Sequence, residues 1–279
     1  TVLATGGFQA SEAARRRFLP DSRRLVLRAN PISSGAGIEL GSAVGGSLCG
    51  HMAGFYGHLL PYPQERFQTS DFARVAFCES EFGVLLNPSG VRFCDESLGD
   101  HFSAQEVCEI GSAVLVVDEE VRRSGSAALF PQGDGGEKWA QAAELGANTL
   151  AAPTLAELCQ GIADWGYAPE AALETLQDFN AAMPSAGKSL TPGRRKNRQP
   201  IAQPPFHAVE LQAGITFTYG GLQSDADGRV LDANAVPIPG LFVAGVDAGG
   251  LNRKGYSGGL VRGLVFGRRV AAAILASKS

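Results

Sequence analysis

Short apolar runs that end near paired glycines recur along this chain and restrict it more than any other feature. Gly-Gly stands at 6-7, 45-46, 135-136, 220-221, 249-250 and 258-259. Three of these pairs follow β-type runs: Thr1-Val2-Leu3-Ala4, Ile215-Thr216-Phe217-Thr218 and Leu241-Phe242-Val243-Ala244. A chain leaving a strand there must turn sharply. A residue without Cβ also lets backbone N–H groups approach a flat or anionic ligand. No unit of about 20–50 residues repeats, which excludes solenoids and propellers.

An apolar strand opening at Thr1 needs neighbours, and nothing precedes it. The chain therefore reads as the C-terminal part of something longer. Residues 1–60 and 203–279 are expected to share one sheet-based core, with 61–202 inserted between them as a lid. Such an interface is where small-molecule sites usually form. In the outer parts the pattern predicts a short helix over 38–48 and a hairpin turn at Asp225-Ala226-Asp227-Gly228. It also predicts a final helix from Gly259 to Ala276. The apolar positions Leu260, Leu264, Val265, Val270, Ala273 and Ile274 of that helix lie on one stripe. In the middle, Glu157 to Trp165 and Pro169 to Met183 read as amphipathic helices. The stretch 186–200 carries Lys188, Arg194, Arg195, Lys196 and Arg198; it reads as a basic surface loop, or as a phosphate or carboxylate contact.

Several function classes drop out. With 279 residues, 44% hydrophobic and 19% charged, the chain is globular and has room for one large or two ordinary domains. A net charge of −4 works against nucleic acid or anionic membrane as a partner. No stretch reads as a membrane span or a signal peptide. Cys49, Cys78, Cys94, Cys108 and Cys159 are odd in number and widely spaced, as expected of reduced thiols in a cytoplasmic protein. His51 and His58 stand seven apart, and His101 and His207 stand alone, so no metal set is expected. No GxSxG elbow points to a serine hydrolase. The adjacent pairs Asp95-Glu96 and Glu119-Glu120 point apart in either regular structure and read as solvated. Gly35-Ala36-Gly37 begins like GxGxxG, but Leu40 holds the sixth position and no acid follows about twenty residues on. It reads as a turn capping a helix, which argues against an NAD(P) enzyme.

The informative constellation is C-terminal. Residues 237–250 (PIPGLFVAGVDAGG) read as turn, buried strand and glycine-rich turn, and Gly255-Tyr256-Ser257-Gly258-Gly259-Leu260 then opens the last helix. A helix entered through two glycines offers free N–H donors and a positive dipole end to a ligand that gains negative charge, as a reduced flavin does. Helix capping alone accounts for Ser257-Gly258-Gly259 equally well.

Seven blocks in order carry a resemblance: VLATGGF at 2–8, SSGAGIELGSAVGG at 33–46, GVRFCDES at 90–97, PPFHAVEL at 204–211, TFTYGGL at 216–222, IPGLFVAGVDAGG at 238–250 and GYSGGLVRGLVFGRRVAAAIL at 255–275. Together they resemble the fumarate reductase/succinate dehydrogenase flavoprotein superfamily, nearest its tricarballylate dehydrogenase-like and 3-ketosteroid dehydrogenase-like members. The resemblance implies an α/β fold: a Rossmann-like FAD-binding domain, incomplete at its N-terminus and lacking the GxGxxG unit, interrupted by an α+β capping domain. It implies non-covalent FAD held by Ala4, Thr5, Gly6, Gly245, Asp247, Gly258, Gly259 and Leu260.

The departures matter. The family's TGDG turn reads Ser34-Gly35-Ala36-Gly37, and its AAGE reads Ala244-Gly245-Val246 with the acid displaced to Asp247. Basic groups of fumarate reductases fall on Asp100, Phe217 and Tyr256, which disfavours fumarate reduction. The expectation is an FAD-dependent dehydrogenase or reductase acting on a CH–CH bond next to a carbonyl or carboxylate, with a small organic-acid or enone substrate. Tyr256 leads as the catalytic group, with Tyr219 and His101 behind it, and Arg253 and Lys254 would bind a substrate carboxylate. These residues do not specify the electron acceptor. The rival expectation is a truncated flavoprotein that neither holds FAD nor turns over.

Overall fold

A computed structural model of the chain describes residues 1–19, 24–64, 71, 74–129, 135–183, 189–256 and 258–277. Two compact units result. The first comprises 1–23, 27–57 and 215–279, and the second comprises 24–26 and 58–214.

The first unit is assembled from sequence-distant pieces. Strand β1 (Val2–Leu3) pairs in parallel with β11 (Pro237–Val243), Val2 opposite Phe242 and Leu3 opposite Val243. On its other side β11 pairs antiparallel with β10 (Arg229–Leu231). The Asp225 turn leads into β10, with Gly228 at φ +77 and its N–H donating to the Asp225 carbonyl. Strands β3 (Leu48–Cys49) and β9 (Gly221–Leu222) form a separate two-stranded sheet. Leu3, Leu222, Val230, Val243 and Ala248 make one small core.

Helix α2 (Ala36–Ala43) starts and stops earlier than the apolar pattern predicts, because Gly35 at φ +90 caps it and Gly45 at φ +91 turns the chain away. The final helix, α8 (Gly259–Ala276), has the expected bounds, but only half of its stripe is covered. Val270 packs on Phe242 and Ala244, with Phe266, Ala273 and Ile274 beside it. Leu260, Leu264 and Val265 are 88%, 65% and 45% exposed. Periodicity records a stripe, not whether anything lies against it.

The second unit holds most of a six-stranded sheet. Its axis is β8 (Phe206–Thr218), flanked by β6 (Ala113–Val117), beyond which lies β5 (Val84–Leu86). Strands β2 (Val26–Leu27), β4 (Phe55–Pro61) and β7 (Thr149–Ala152) also pair with β8. All five residues of β6 are buried, as expected of a strand covered on both faces. One face carries α6 (Leu155–Ile162) and α7 (Pro169–Ala182), whose Leu158, Ile162, Leu176 and Phe179 pack on Val84, Val114 and Val116. The helix expected over 157–165 is α6 followed by a 3-10 turn over 163–165, where Gly166 at φ +88 ends it. Also in this unit are α3 (Asp100–Ile110), α4 (Glu119–Leu129) and α5 (Gly135–Glu144).

Glu96 and Arg194 depart from the solvated reading, while Glu120, Arg195, Lys196 and Arg198 are exposed as expected. Glu96 is fully buried, its carboxylate bonded to Arg92 at 2.7 Å and to Arg194 at 3.1 Å. Both guanidiniums also lie over the Phe179 ring, at 5.5 and 5.1 Å. Arg194 therefore locks its loop to the unit interior, donating further to the Gly83 and Glu81 carbonyls. A buried charge needs such partners. Lys188 lies outside the described residues. Glu119 accepts from Arg122 through both oxygens and from His207 Nε2 at 2.7 Å.

Candidate functional site

The chain leaving β1 is gripped from inside by Asp247. This carboxylate, fully buried, accepts the N–H of Thr5, the N–H of Gly7 at 2.8 Å and the Thr5 hydroxyl at 3.2 Å. Thr5 Oγ1 in turn accepts the N–H of Gly37 at 2.9 Å. A Cβ on Gly37 would stand 2.5 Å from the Asp247 carboxylate, so only glycine fits there. The clamp leaves Ala4 and Thr5 exposed and Gly6 half-buried. Asp247 thus meets the backbone behind this edge.

Beside it, Gly245 has φ +69, and no atom lies within 4 Å of where its Cβ would be. The 245–247 turn packs on α8. Gly258 caps α8 at φ +90 without a side-chain partner, leaving the first-turn N–H groups available. Ser257 lies outside the described residues. The start of α8 is ringed by aromatics: Tyr56 lies 4.7 Å from Tyr256 and 5.1 Å from Phe217, centroid to centroid, and Phe217 lies 6.3 Å from Tyr256. Such pairs contribute about 0.5–1.5 kcal/mol each beyond burial. A Cβ on Gly259 would meet Phe217 at 3.4 Å and Tyr256 at 3.7 Å.

Tyr256 is half exposed, whereas Tyr219 is fully buried and donates its hydroxyl to the Gly255 carbonyl at 3.0 Å. Burial pushes the Tyr219 phenol well above its ordinary value. Arg262, on α8, is buried with its guanidinium 5.5 Å from the Phe217 centroid, and burial pulls its pKa down. Arg253 and Lys254 are exposed and line a cavity of about 510 Å³ with Gly50, His51, Gly250 and Asn252. Tyr56, Phe217 and Arg262 were not singled out as site residues by sequence. No sequence signal marks Tyr56, which the structure places half-buried on β4.

His101 belongs to the second unit. Its Nδ1 lies 3.8 Å from Asp100 Oδ1, while the other Asp100 oxygen is 2.6 Å from His58 Nδ1. Burial alone would push the Asp100 carboxyl up; hydrogen bonds from His101 and His58 outweigh it and hold it below the usual carboxylate range. Cys78 Sγ contacts the same oxygen as His58, at 3.6 Å.

Buried Gln9 Oε1 and Thr218 Oγ1 have no partner among the described residues, and both pack on Gly7, where a Cβ would stand 2.8 and 2.7 Å from them. An exposed backbone edge, an open glycine and a helix N-terminus could hold a flat cofactor that develops negative charge. The fold is that of a mixed α/β protein. The FAD binding domain family matches residues 1–259, and the chain belongs to it; its cofactor is FAD. The chain is 29% identical to the NADH:fumarate oxidoreductase of Klebsiella pneumoniae over 92% of its own length and 26% of that protein. The 3-ketosteroid delta1-dehydrogenase of Sterolibacterium denitrificans shares the fold, with TM-score 0.75 and 23% identity, over 99% of this chain and 53% of that one. The 3-ketosteroid-delta4-(5alpha)-dehydrogenase of Rhodococcus jostii follows, with TM-score 0.68 and 25% identity, over 96% and 51%. The chain thus spans about a quarter of the first and half of the other two. No helix among the described residues is long and apolar enough to cross a membrane.

Proposed function

We propose that the chain is the flavin-bearing part of a dehydrogenase or reductase acting on a CH–CH bond next to a carbonyl or carboxylate. The observation that carries this reading is the half-exposed Tyr256 phenol, held by Tyr56 and Phe217 at the glycine-entered start of α8. Residues 1–60 and 203–279 act as the FAD-binding domain and 61–202 as the capping, substrate-selecting one. Ala4, Thr5 and Gly6 offer backbone to non-covalently held FAD, as do Gly245 and Gly258 to Leu260, while Asp247 fixes the first of these segments. When bound, FAD supplies the hydride acceptor or donor.

Tyr256 donates its hydroxyl hydrogen to the enolate oxygen as charge develops there. Tyr219 serves by anchoring Gly255, the residue before Tyr256. Arg253 and Lys254 pair with a substrate carboxylate, and His101 is the acid–base candidate of the cap. The small-molecule substrate is an organic acid or an enone; the relatives named above reduce fumarate or act on 3-ketosteroids by their names. Five free cysteines support a reducing compartment, the cytoplasm.

In the full-length enzyme, Tyr256→Phe should slow flavin reduction by substrate about 10²–10³-fold, the usual effect of removing one oxyanion donor, while leaving bound FAD intact. Unchanged turnover would remove Tyr256 from the mechanism. A colourless preparation that takes up no added FAD would favour an inactive remnant.

A further inference from the structure

His58, Cys78 and Asp100 come from three separate elements: β4, the 3-10 turn over 78–82, and the first residue of α3. Their donor atoms all lie within 4.8 Å of one another. Asp100 Oδ2 is the hub, 2.6 Å from His58 Nδ1 and 3.6 Å from Cys78 Sγ.

This order of contacts argues against a nucleophilic cysteine. An activated thiolate needs a base or a cation at sulfur; here the imidazole sits on the carboxylate, and sulfur faces the carboxylate itself. A carboxylate beside a thiol disfavours the thiolate unless a stronger positive charge joins them. We propose that His58, Cys78 and Asp100 form a mononuclear site for a borderline divalent transition-metal ion, with Zn²⁺ as its ordinary occupant.

Bond lengths of about 2.3 Å to sulfur and 2.0–2.2 Å to nitrogen or oxygen place tetrahedral S···O neighbours roughly 3.5 Å apart and N···O neighbours roughly 3.3 Å apart. The sulfur–carboxylate separation of 3.6 Å already suits this, and the His58–Asp100 contact has to open by roughly 0.7 Å. A thiolate, a carboxylate and a neutral imidazole around a dication make a neutral cluster, which a buried position favours. The Cys78 thiol proton is released to solvent on binding, as is one from His58 if it starts as imidazolium. A sulfur donor excludes Mg²⁺ and Ca²⁺. His101, 3.8 Å from the second Asp100 oxygen, occupies the outer position that orients a ligating carboxylate. Lys138, the nearby cation, is already neutralised by Glu79 at 2.7 Å. Three protein ligands leave the fourth position to water or a small ligand.

The test is metal content and back-titration on the purified flavoprotein, stripped with EDTA, supplied with ZnCl₂, and read by mass spectrometry after gel filtration. Wild type should hold about one Zn²⁺ per chain and melt at a higher temperature with zinc than without. Cys78→Ser and His58→Ala should lose affinity by more than about 100-fold and show no zinc-dependent melting shift. Cys159→Ser, a buried thiol elsewhere in the same unit, should behave as wild type. Asp100→Asn, nearly isosteric, repeats the comparison if either ligand variant does not fold. No zinc on wild type, or equal uptake by the ligand variants that fold, overturns the site.

Discussion

The two units dispose of apolar surface in opposite ways. All exposed large apolar side chains among the described residues belong to the first unit, except Val91 and Ile110. The second unit closes its own core and neutralises charge inside it, with Glu96 between Arg92 and Arg194 and Glu79 on Lys138. The first clamps one edge with Asp247 and leaves Gly245 and half of α8 open. If the first unit holds FAD as proposed, binding adds to its stability, whereas the second unit draws its stability from its own side chains.

The largest effects should come from the buried carboxylates on each side. Glu96→Ala strands two buried guanidiniums and should cost about 3–5 kcal/mol, read by urea unfolding, with no relief from added FAD. Asp247→Ala frees two backbone N–H groups and should cost about 2–4 kcal/mol, with hydrogen exchange rising at Thr5 and Gly7 and not in the second unit. Saturating FAD should restore part of that loss. Equal FAD dependence in both variants would erase the distinction between the units.

What the sequence made legible is local. The glycine pairs, the Asp225 turn and the bounds of α8 follow from residues a few positions apart. The burial of Glu96 does not, because Arg194 stands 98 residues away. The cluster of His58, Cys78 and Asp100 is likewise scattered over three elements, so ligand-spacing rules pass over it. Asp247 could be placed near the cofactor segment by resemblance, but its grip on Thr5 and Gly7 spans 242 and 240 residues. Tyr56 sits in an apolar run with no flanking motif. Arg253 and Lys254 do share a cavity, which adjacent basic residues alone could not reveal.

A smaller, pH-dependent effect sharpens the contrast from the side of the second unit. Hydrogen bonds from Arg122, helped by His207, hold the Glu119 carboxyl at about 2. Because its folded value lies below the unfolded one, near 4.3, the stability it lends is complete above that pH and disappears as pH falls through about 2. After solvent screening it amounts to about 1–2 kcal/mol. Acid unfolding followed at the second unit should flatten in Glu119→Gln by that amount.

The smallest effect is the most discriminating for the first unit. Leu264 is 65% exposed on α8, one turn beyond Leu260, so Leu264→Gln removes little packing within the chain. Surface substitutions of this kind change stability by less than about 0.5 kcal/mol. Urea midpoints for the variant and wild type should therefore coincide with and without FAD. A loss above about 2 kcal/mol would be that of a core leucine, and would mean that the open half of α8 is covered in solution.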